Sequence, residues 1–238
     1  MSILSILTVT LNAEHCINDL IKSLRQQTDM KFEWVVVDGK STDNTLEILS
    51  NVDDIKIKVI SEADFGIYDA LNEAIKRCDG HYYLVLGADD TLYPRAVEEF
   101  KKAASSKPDI VTAPIDINGH IINPGRGPVW LKGHGHYISG HAVGSMIRKS
   151  LHEEFGYYSN KYPISADQHF ILRACNRKGI KVKVIDYVSG SFGDGGLSSQ
   201  DTLGVITEFY RVQIDFGCNK YIQLCLLTMR LWKNLKKF

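Results

Sequence analysis

Two neighbouring carboxylates, Asp89 and Asp90, stand at the end of the apolar run Tyr82-Tyr83-Leu84-Val85-Leu86, after only Gly87 and Ala88. A run of that length bounded by glycine reads as a buried strand, and open α/β sheets bind their ligands at the carboxyl ends of strands. Acids placed there attract a cation. One or two carboxylates, completed by phosphate oxygens and water, are the usual means of holding magnesium or manganese against a nucleotide. The same pair also fits an acidic turn in which Asp89 or Asp90 caps the helix that Pro94 opens. What separates the two readings is whether other acids reach the same place.

The preceding elements deliver them. Residues 2–10 are rich in Ile, Leu, Val and Thr and read as a first strand, after which Asn12 is placed to cap a helix carrying Ile17, Leu20, Ile21 and Leu24 on one face. Residues 34–37 form the next buried strand. It stops at Asp38-Gly39-Lys40-Ser41-Thr42-Asp43, a turn rich in cap residues that launches a helix bearing Leu46, Ile48 and Leu49. A third strand, 57–60, leads through Glu62-Ala63-Asp64-Phe65-Gly66 into a helix with Ala70, Leu71, Ala74 and Ile75 inward. Strand and helix thus alternate, which implies a parallel, helix-covered sheet with right-handed crossovers. Its strands end in Asp38, then Glu62 and Asp64, then Asp89 and Asp90, so these acids are expected to converge on one crevice.

The second half is less regular. Residues 109–113 read as a strand, and 118–141, rich in Gly, Pro and His, as a long loop or small hairpin over the site. Residues 143–148 are apolar, 149–155 resemble a short helix, and Ser165-Ala166-Asp167-Gln168 looks like the start of a helix with Phe170, Ile171, Ala174 and Cys175 inside. Residues 181–188 alternate like a strand. The loop 193–199 has the glycines to wrap a diphosphate with backbone amides, and equally reads as plain flexible chain, since it lacks the Gly-Lys-Ser/Thr ending of a P-loop. His134, His136 and His141 raise the question of zinc, but no acidic or cysteine cluster completes tetrahedral spacing, so loop histidines near an acceptor are expected.

Composition bounds the rest. With 238 residues, 44% of them hydrophobic, the chain can bury a full core as one domain or one with a modest subdomain. Its 28 basic and 28 acidic residues cancel, so no global field draws it to nucleic acid. The five cysteines are scattered without metal-ligand spacing and read as reduced, buried small hydrophobes of a cytosolic protein. No basic leader precedes the first strand and no apolar stretch is long enough to cross a bilayer, so a cytoplasmic location is expected.

In their order the motifs resemble the inverting family 2 glycosyltransferases of bacterial surface polysaccharide synthesis. The residues that carry the resemblance are Thr8-Val9-Thr10-Leu11-Asn12-Ala13-Glu14, Val37-Asp38-Gly39-Lys40-Ser41-Thr42-Asp43, Gly66-Ile67-Tyr68-Asp69-Ala70-Leu71-Asn72 after Ser61-Glu62, Leu86-Gly87-Ala88-Asp89-Asp90, and Ile164-Ser165-Ala166-Asp167. The resemblance implies an α/β GT-A fold, a Rossmann-like, mostly parallel sheet flanked by helices with a smaller acceptor-side segment and C-terminal helices. It implies a nucleotide-binding half over 1–115, an acceptor and catalytic-base half of the same domain over 116–200, and a helical segment over 201–238. It further implies a nucleotide diphosphate sugar donor, usually of uridine, and a divalent metal, Mn2+ or Mg2+. By position, Asp38 would accept a hydrogen bond from the uracil imide with Thr10 and Glu14 near the nucleoside, and Asp89 and Asp90 would stand for the metal-binding DxD motif, Asp89 also reaching the donor. Gly87 stands where many members have the first acid, so water and both phosphates are expected to fill the metal shell. Asp167 matches the catalytic base, and His141 lies where the acceptor is expected. Tyr68, Asp69 and Asn72 open a helix facing the crevice, placed to touch donor ribose or sugar, with Asn72 equally suited to pair with backbone.

For Asp167 two effects oppose each other: a place in the first turn of a helix favours the ionised form, whereas burial under a sugar raises the pKa. The rival functions are a sugar-phosphate nucleotidyltransferase and a non-catalytic nucleotide-sugar-binding module. The first calls for a Gly-rich, basic loop after the first strand, and Leu11-Asn12-Ala13-Glu14 is neither. Finally, residues 217–238 contain no acid. Leu224, Cys225, Leu231, Trp232, Leu235 and Phe238 share a helical face while Lys220, Arg230, Lys233, Lys236 and Lys237 supply charge. Such a helix suits an anionic membrane surface presenting a lipid-linked saccharide acceptor, and equally suits packing on the core or on a second subunit in a homodimer.

Overall fold

The computed structural model describes residues 4–125, 127–193, 195–196 and 201–237. The apolar runs of the first half form four parallel strands, β1 (Leu4–Thr10), β2 (Glu33–Asp38), β3 (Ile57–Ser61) and β4 (Tyr82–Val85), side by side in the order β3-β2-β1-β4. Side chains alternate between two layers, as the two-residue period of a strand requires. Leu4, Ile6, Trp34, Val36 and Leu84 point to one layer, where α1 (Ile17–Arg25) delivers Ile17, Leu20, Ile21 and Leu24. Leu7, Val35, Val37 and Tyr83 point to the other, against Ala70, Leu71, Ala74 and Ile75 of α3 (Ile67–Arg77). The short α2 (Thr45–Ser50) closes the crossover between β2 and β3.

After β4 the two-residue β5 (Thr91–Leu92) leads to α4 (Ala96–Ala104), and β6 (Ile110–Thr112) enters the sheet with β9 (Ser145–Arg148) inserted antiparallel between it and β4. The last strand, β10 (Val182–Val184), adds parallel to β6, giving seven strands in the order β10-β6-β9-β4-β1-β2-β3. A second, four-stranded sheet runs β5-β11-β7-β8, built from the hairpin of β7 (Ile115–Ile117) and β8 (His120–Ile122) with β11 (Gly190–Ser191). It lies just beyond Asp89 and Asp90 in the chain, so it stands beside the carboxyl end of β4. Between hairpin and β9 come α5 (Val129–Lys132) and two 3-10 turns, Gly133–His136 and Ala142–Gly144. Helices α6 (Leu151–Phe155), α7 (Ala166–Cys175), α8 (Thr202–Asp215) and α9 (Lys220–Lys233) complete the described chain.

Three local expectations are corrected. Asn12 caps no helix: α1 begins at Ile17, while Asn12 takes a left-handed conformation (φ 51°) and accepts the Thr42 amide at 2.9 Å, tying the loop after β1 to the loop after β2. Residues 181–188 contribute only three strand residues, because β10 is an edge with one neighbour to pair with. The cysteines are all free, but only Cys78 is buried; Cys16, Cys175 and Cys218 are half-buried and Cys225 is exposed. Among the described residues no helix is long and apolar enough to cross a membrane.

Candidate active site

Two adjoining cavities of about 390 and 300 Å³ open along the carboxyl ends of β1 and β4, and each falls in the size range of small-molecule sites. Val9, Ile67, Gly87, Asp89 and Gly196 line both, so Asp89 stands where they meet. The first cavity adds Thr10, Asp64 and Ala88; the second adds Asp90, His141, Asp167, Gln168 and Phe192. Residues from β1, β4, the start of α3, the turn before β9 and α7 therefore share one crevice.

Neither carboxylate of the Asp89-Asp90 pair caps α4, whose first turn follows Arg95 without a side-chain cap. Asp90 is 4% exposed, and its two oxygens accept the Gly87 amide at 2.7 Å and the Gly193 amide at 2.9 Å. Burial pushes its carboxyl up to about 6, against the pull of those two amides. Asp89 is half-buried and accepts the Gly195 amide through Oδ2 at 2.7 Å, while Oδ1 has no protein donor among the described residues. That oxygen lies 2.8 Å from where a Cβ on Gly87 would sit, and Asp90 Oδ2 lies 3.2 Å from it. Glycine at 87 is thus the space into which the two following acids fold. Gly193 is equally forced, since a Cβ there would meet Asp89 at 2.4 Å. Of the loop 193–199, Asp194 and residues 197–199 lie outside the described residues; Gly193 and Gly195 aim their amides at the acid pair.

The other strand-end acids do not all reach the crevice. Asp38 is fully buried beneath it, with Oδ1 on the Thr10 and Ser41 hydroxyls and Oδ2 on the Ser41 amide and Ser61 hydroxyl. Thr10, held by that bond, is the part of this group that lines the cavity. Glu62 turns away to pair with Arg77 at 3.1 Å, correcting the expectation of convergence, whereas Asp64 does line the first cavity. Glu14 accepts the amide and side chain of Asn44, and Asp69 accepts the Phe65 amide; neither is among the residues lining these cavities. Asn72 pairs with backbone, donating to the Tyr158 carbonyl and accepting its amide, each at 2.9 Å. Asn72→Ala strands both buried groups and is expected to cost about 1 to 3 kcal/mol. A lower urea midpoint with an unchanged slope is the result that checks it.

Asp167 sits half-buried in the first turn of α7. The Tyr68 hydroxyl lies 2.7 Å from its Oδ1 and 2.8 Å from the Ile164 carbonyl oxygen. Burial, reinforced by the Asp167 charge, holds the Tyr68 hydroxyl well above its usual pKa, so it keeps its proton and remains a donor to both oxygens. The start of α7 is held from behind by Glu208 of α8, which is buried and accepts the Ile164 and Ser165 amides at 3.0 and 2.9 Å. Opposite, His141 stacks on Phe192 at 3.8 Å, and burial lowers its pKa, so the imidazole is neutral near pH 7. His134 is buried as well and its Nε2 meets the Gly140 carbonyl; among the described residues no group of three His, Cys, Asp or Glu could hold a metal.

Sequence reasoning missed Gln168, Phe192 and Glu208. Gln168 follows Asp167 and lines the second cavity with its Oε1 buried and unpartnered. A side-chain amide next to a pocket acid on the first turn of a helix was the available signal; Glu208 and Phe192 had none, because their contacts span more than 40 residues of chain.

Residues 5–180 match the family model described as Glycosyl transferase family 2. A PGL/p-HBAD biosynthesis glycosyltransferase of Mycobacterium bovis is 25% identical over 240 residues, covering 96% of this chain and 90% of that protein. A chondroitin synthase of Escherichia coli is 34% identical over 130 residues, 52% of this chain and 19% of that protein. Among solved structures, S. aureus TarS 1-349 in complex with UDP-GlcNAc superposes with a TM-score of 0.70 at 19% identity, covering 99% of this chain and 73% of that one. The mannosyltransferase PcManGT from Pyrobaculum calidifontis, in complex with GDP-Man and Mn2+, does so with 0.70 at 14%, covering 98% and 75%. At such identities the structures speak for the fold, which is the α/β GT-A fold.

Proposed function

The chain belongs to glycosyl transferase family 2, and from that premise we propose that it moves a sugar with inversion from a uridine diphosphate sugar to a hydroxyl of a polysaccharide or lipid-diphosphate-linked saccharide. The observation that carries this reading is the shared crevice: Asp89, with an oxygen clear of donors among the described residues, and Asp167, held by Tyr68, line one cavity. The name of the chondroitin synthase supports a saccharide acceptor, and the UDP-GlcNAc in the TarS complex supports the uridine donor.

The donor would span both cavities, its nucleoside in the first near Thr10 and Asp64 and its sugar in the second toward Asp167. Asp38 then acts on the nucleoside through Thr10, whose hydroxyl it orients. Asp167 takes the proton of the acceptor hydroxyl as that oxygen bonds to the anomeric carbon, and the bond from that carbon to the diphosphate oxygen breaks on the opposite side. Tyr68 leaves Asp167 Oδ2 for the acceptor, and the His141-Phe192 stack provides a flat wall.

The acids suit a hard divalent cation. Asp89 Oδ1 would hold it, with Asp90 behind, and because among the described residues no group of three metal-binding side chains gathers, phosphate oxygens and water would complete the shell. Bound there, Mn2+ or Mg2+ would neutralise charge developing on the leaving diphosphate.

A raised carboxyl at Asp90 gives a sign to the pH dependence. Below about 6 it carries a proton that the cation must displace, so acid weakens cation binding. Manganese is expected to raise the thermal midpoint at pH 7.5 and to have lost that effect by pH 5. The decisive assay is turnover over a panel of nucleotide sugars with manganese: release of the nucleoside diphosphate supports the reading. Donor binding without hydrolysis or transfer would instead mark a binding module, and pyrophosphate-dependent synthesis of the donor a nucleotidyltransferase.

A further inference from the structure

Helix α9 exposes large apolar side chains on the face turned away from the core. Its outward face carries Tyr221, Leu224, Cys225, Met229, Trp232 and Leu235 of the turn that follows, at helical spacing, with Tyr221 69% and Trp232 77% exposed. Its inward face sets the half-buried Leu226, Leu227 and Leu231 beside polar groups. Gln223 is fully buried and donates to the Trp130 carbonyl at 2.6 Å, and Arg230 donates to the Leu131 carbonyl at 3.2 Å with its guanidinium over the Phe209 ring. Trp130 and Leu131 of α5, which supply those carbonyls, are themselves exposed apolar side chains. A contiguous apolar face of this kind marks a surface that something covers.

Charge identifies the cover. Residues 217–238 hold five basic residues and no acid, and Lys220, Lys233 and Lys236 are exposed around the apolar stripe. On the neighbouring α8, Glu208 is turned into the core and Asp215 pairs with Lys161, so neither offsets them. Two copies joined through this face would bring their cations together without a counter-charge, because an isologous contact sets like against like. An anionic bilayer offers a counter-charge to every lysine and an apolar depth for Trp232 and Leu235, while tryptophan and tyrosine favour that boundary. We propose that α9 lies flat on an anionic membrane surface, with Trp232 and Leu235 inserted and Lys233 and Lys236 at the headgroups. No described helix is suited to span the bilayer, consistent with an interfacial seat. This inference does not depend on the transfer chemistry.

The test is co-sedimentation of the intact protein with vesicles of phosphatidylcholine alone and of phosphatidylcholine with phosphatidylglycerol, together with its solution mass by light scattering. Binding to the anionic vesicles is expected, weaker by about tenfold on neutral vesicles or in high salt. Lys233→Ala and Lys236→Ala are expected to weaken it roughly fivefold each, and Trp232→Ser with Leu235→Ser to lose it, with circular dichroism and donor hydrolysis unchanged. Absence of binding, equal binding to both vesicle types, or a wild-type dimer that the Trp232→Ser, Leu235→Ser variant converts to monomer would overturn the proposal.

Discussion

Asp167→Asn is expected to lower kcat by about 10² to 10⁴, the usual contribution of a positioned base, while donor affinity stays near that of the wild type. Asparagine keeps the size of the side chain, and its Oδ1 can still accept the Tyr68 hydroxyl now 2.7 Å from Asp167 Oδ1, so α7 and the cavity wall stay in place. What is lost is the carboxylate that α7 presents to the second cavity, on the far side from the one Asp89 shares with the first. Asp90 cannot substitute, because Gly87 and Gly193 occupy its oxygens. Single-turnover transfer measured beside calorimetric donor binding separates the two effects. A variant with near-normal turnover would remove Asp167 from the mechanism.

Asp89→Asn is expected to reduce turnover by about 10² to 10³, the scale of several kcal/mol of charge stabilisation at a leaving phosphate. Here, unlike at Asp167, donor binding should fall too, and only in the presence of the cation. The reason lies in the geometry: Asp89 is shared by both cavities and among the described residues has an oxygen clear of protein donors, whereas Gly193 and Gly195 rest on its other side. Titration of a uridine diphosphate sugar in manganese and again in EDTA is the check. The wild type should lose affinity on removal of the cation, and the variant should bind equally weakly in both. A variant whose donor affinity still depends on manganese would place the cation elsewhere.

The parts of this arrangement that were legible in the sequence are those governed by local periodicity. Ile17, Leu20, Ile21 and Leu24 announce a helix packed on a sheet, and the apolar run ahead of Asp89 announces a buried strand, and both elements stand as read. Asp89, Asp90, Asp167 and His141 do share a cavity. Misreadings arose where a short polar side chain had several partners available. Asn12 is suited to a local cap, yet its carbonyl serves an amide 30 residues away, because two adjacent loops leave amides that nothing nearer can satisfy. Asp38 ends its strand as expected, but the hydroxyls of Thr10, Ser41 and Ser61 close over it, so it shapes the crevice from below. Glu62 follows its own strand outward to Arg77. The orientation of α9 was hidden for a related reason: amphipathicity states that a helix has two faces, and only the contacts of Gln223 and Arg230 reveal which is turned inward.

A crystal structure with an intact, non-hydrolysable uridine diphosphate sugar and manganese tests the central claim most directly. The account predicts the ion against Asp89 Oδ1 with both phosphates completing its shell, and the anomeric carbon between that ion and Asp167, whose Oδ2 faces the side away from the diphosphate. Finding the sugar outside the cavity lined by Asp89, His141 and Asp167, or the diphosphate on the same side of the anomeric carbon as Asp167, would contradict it.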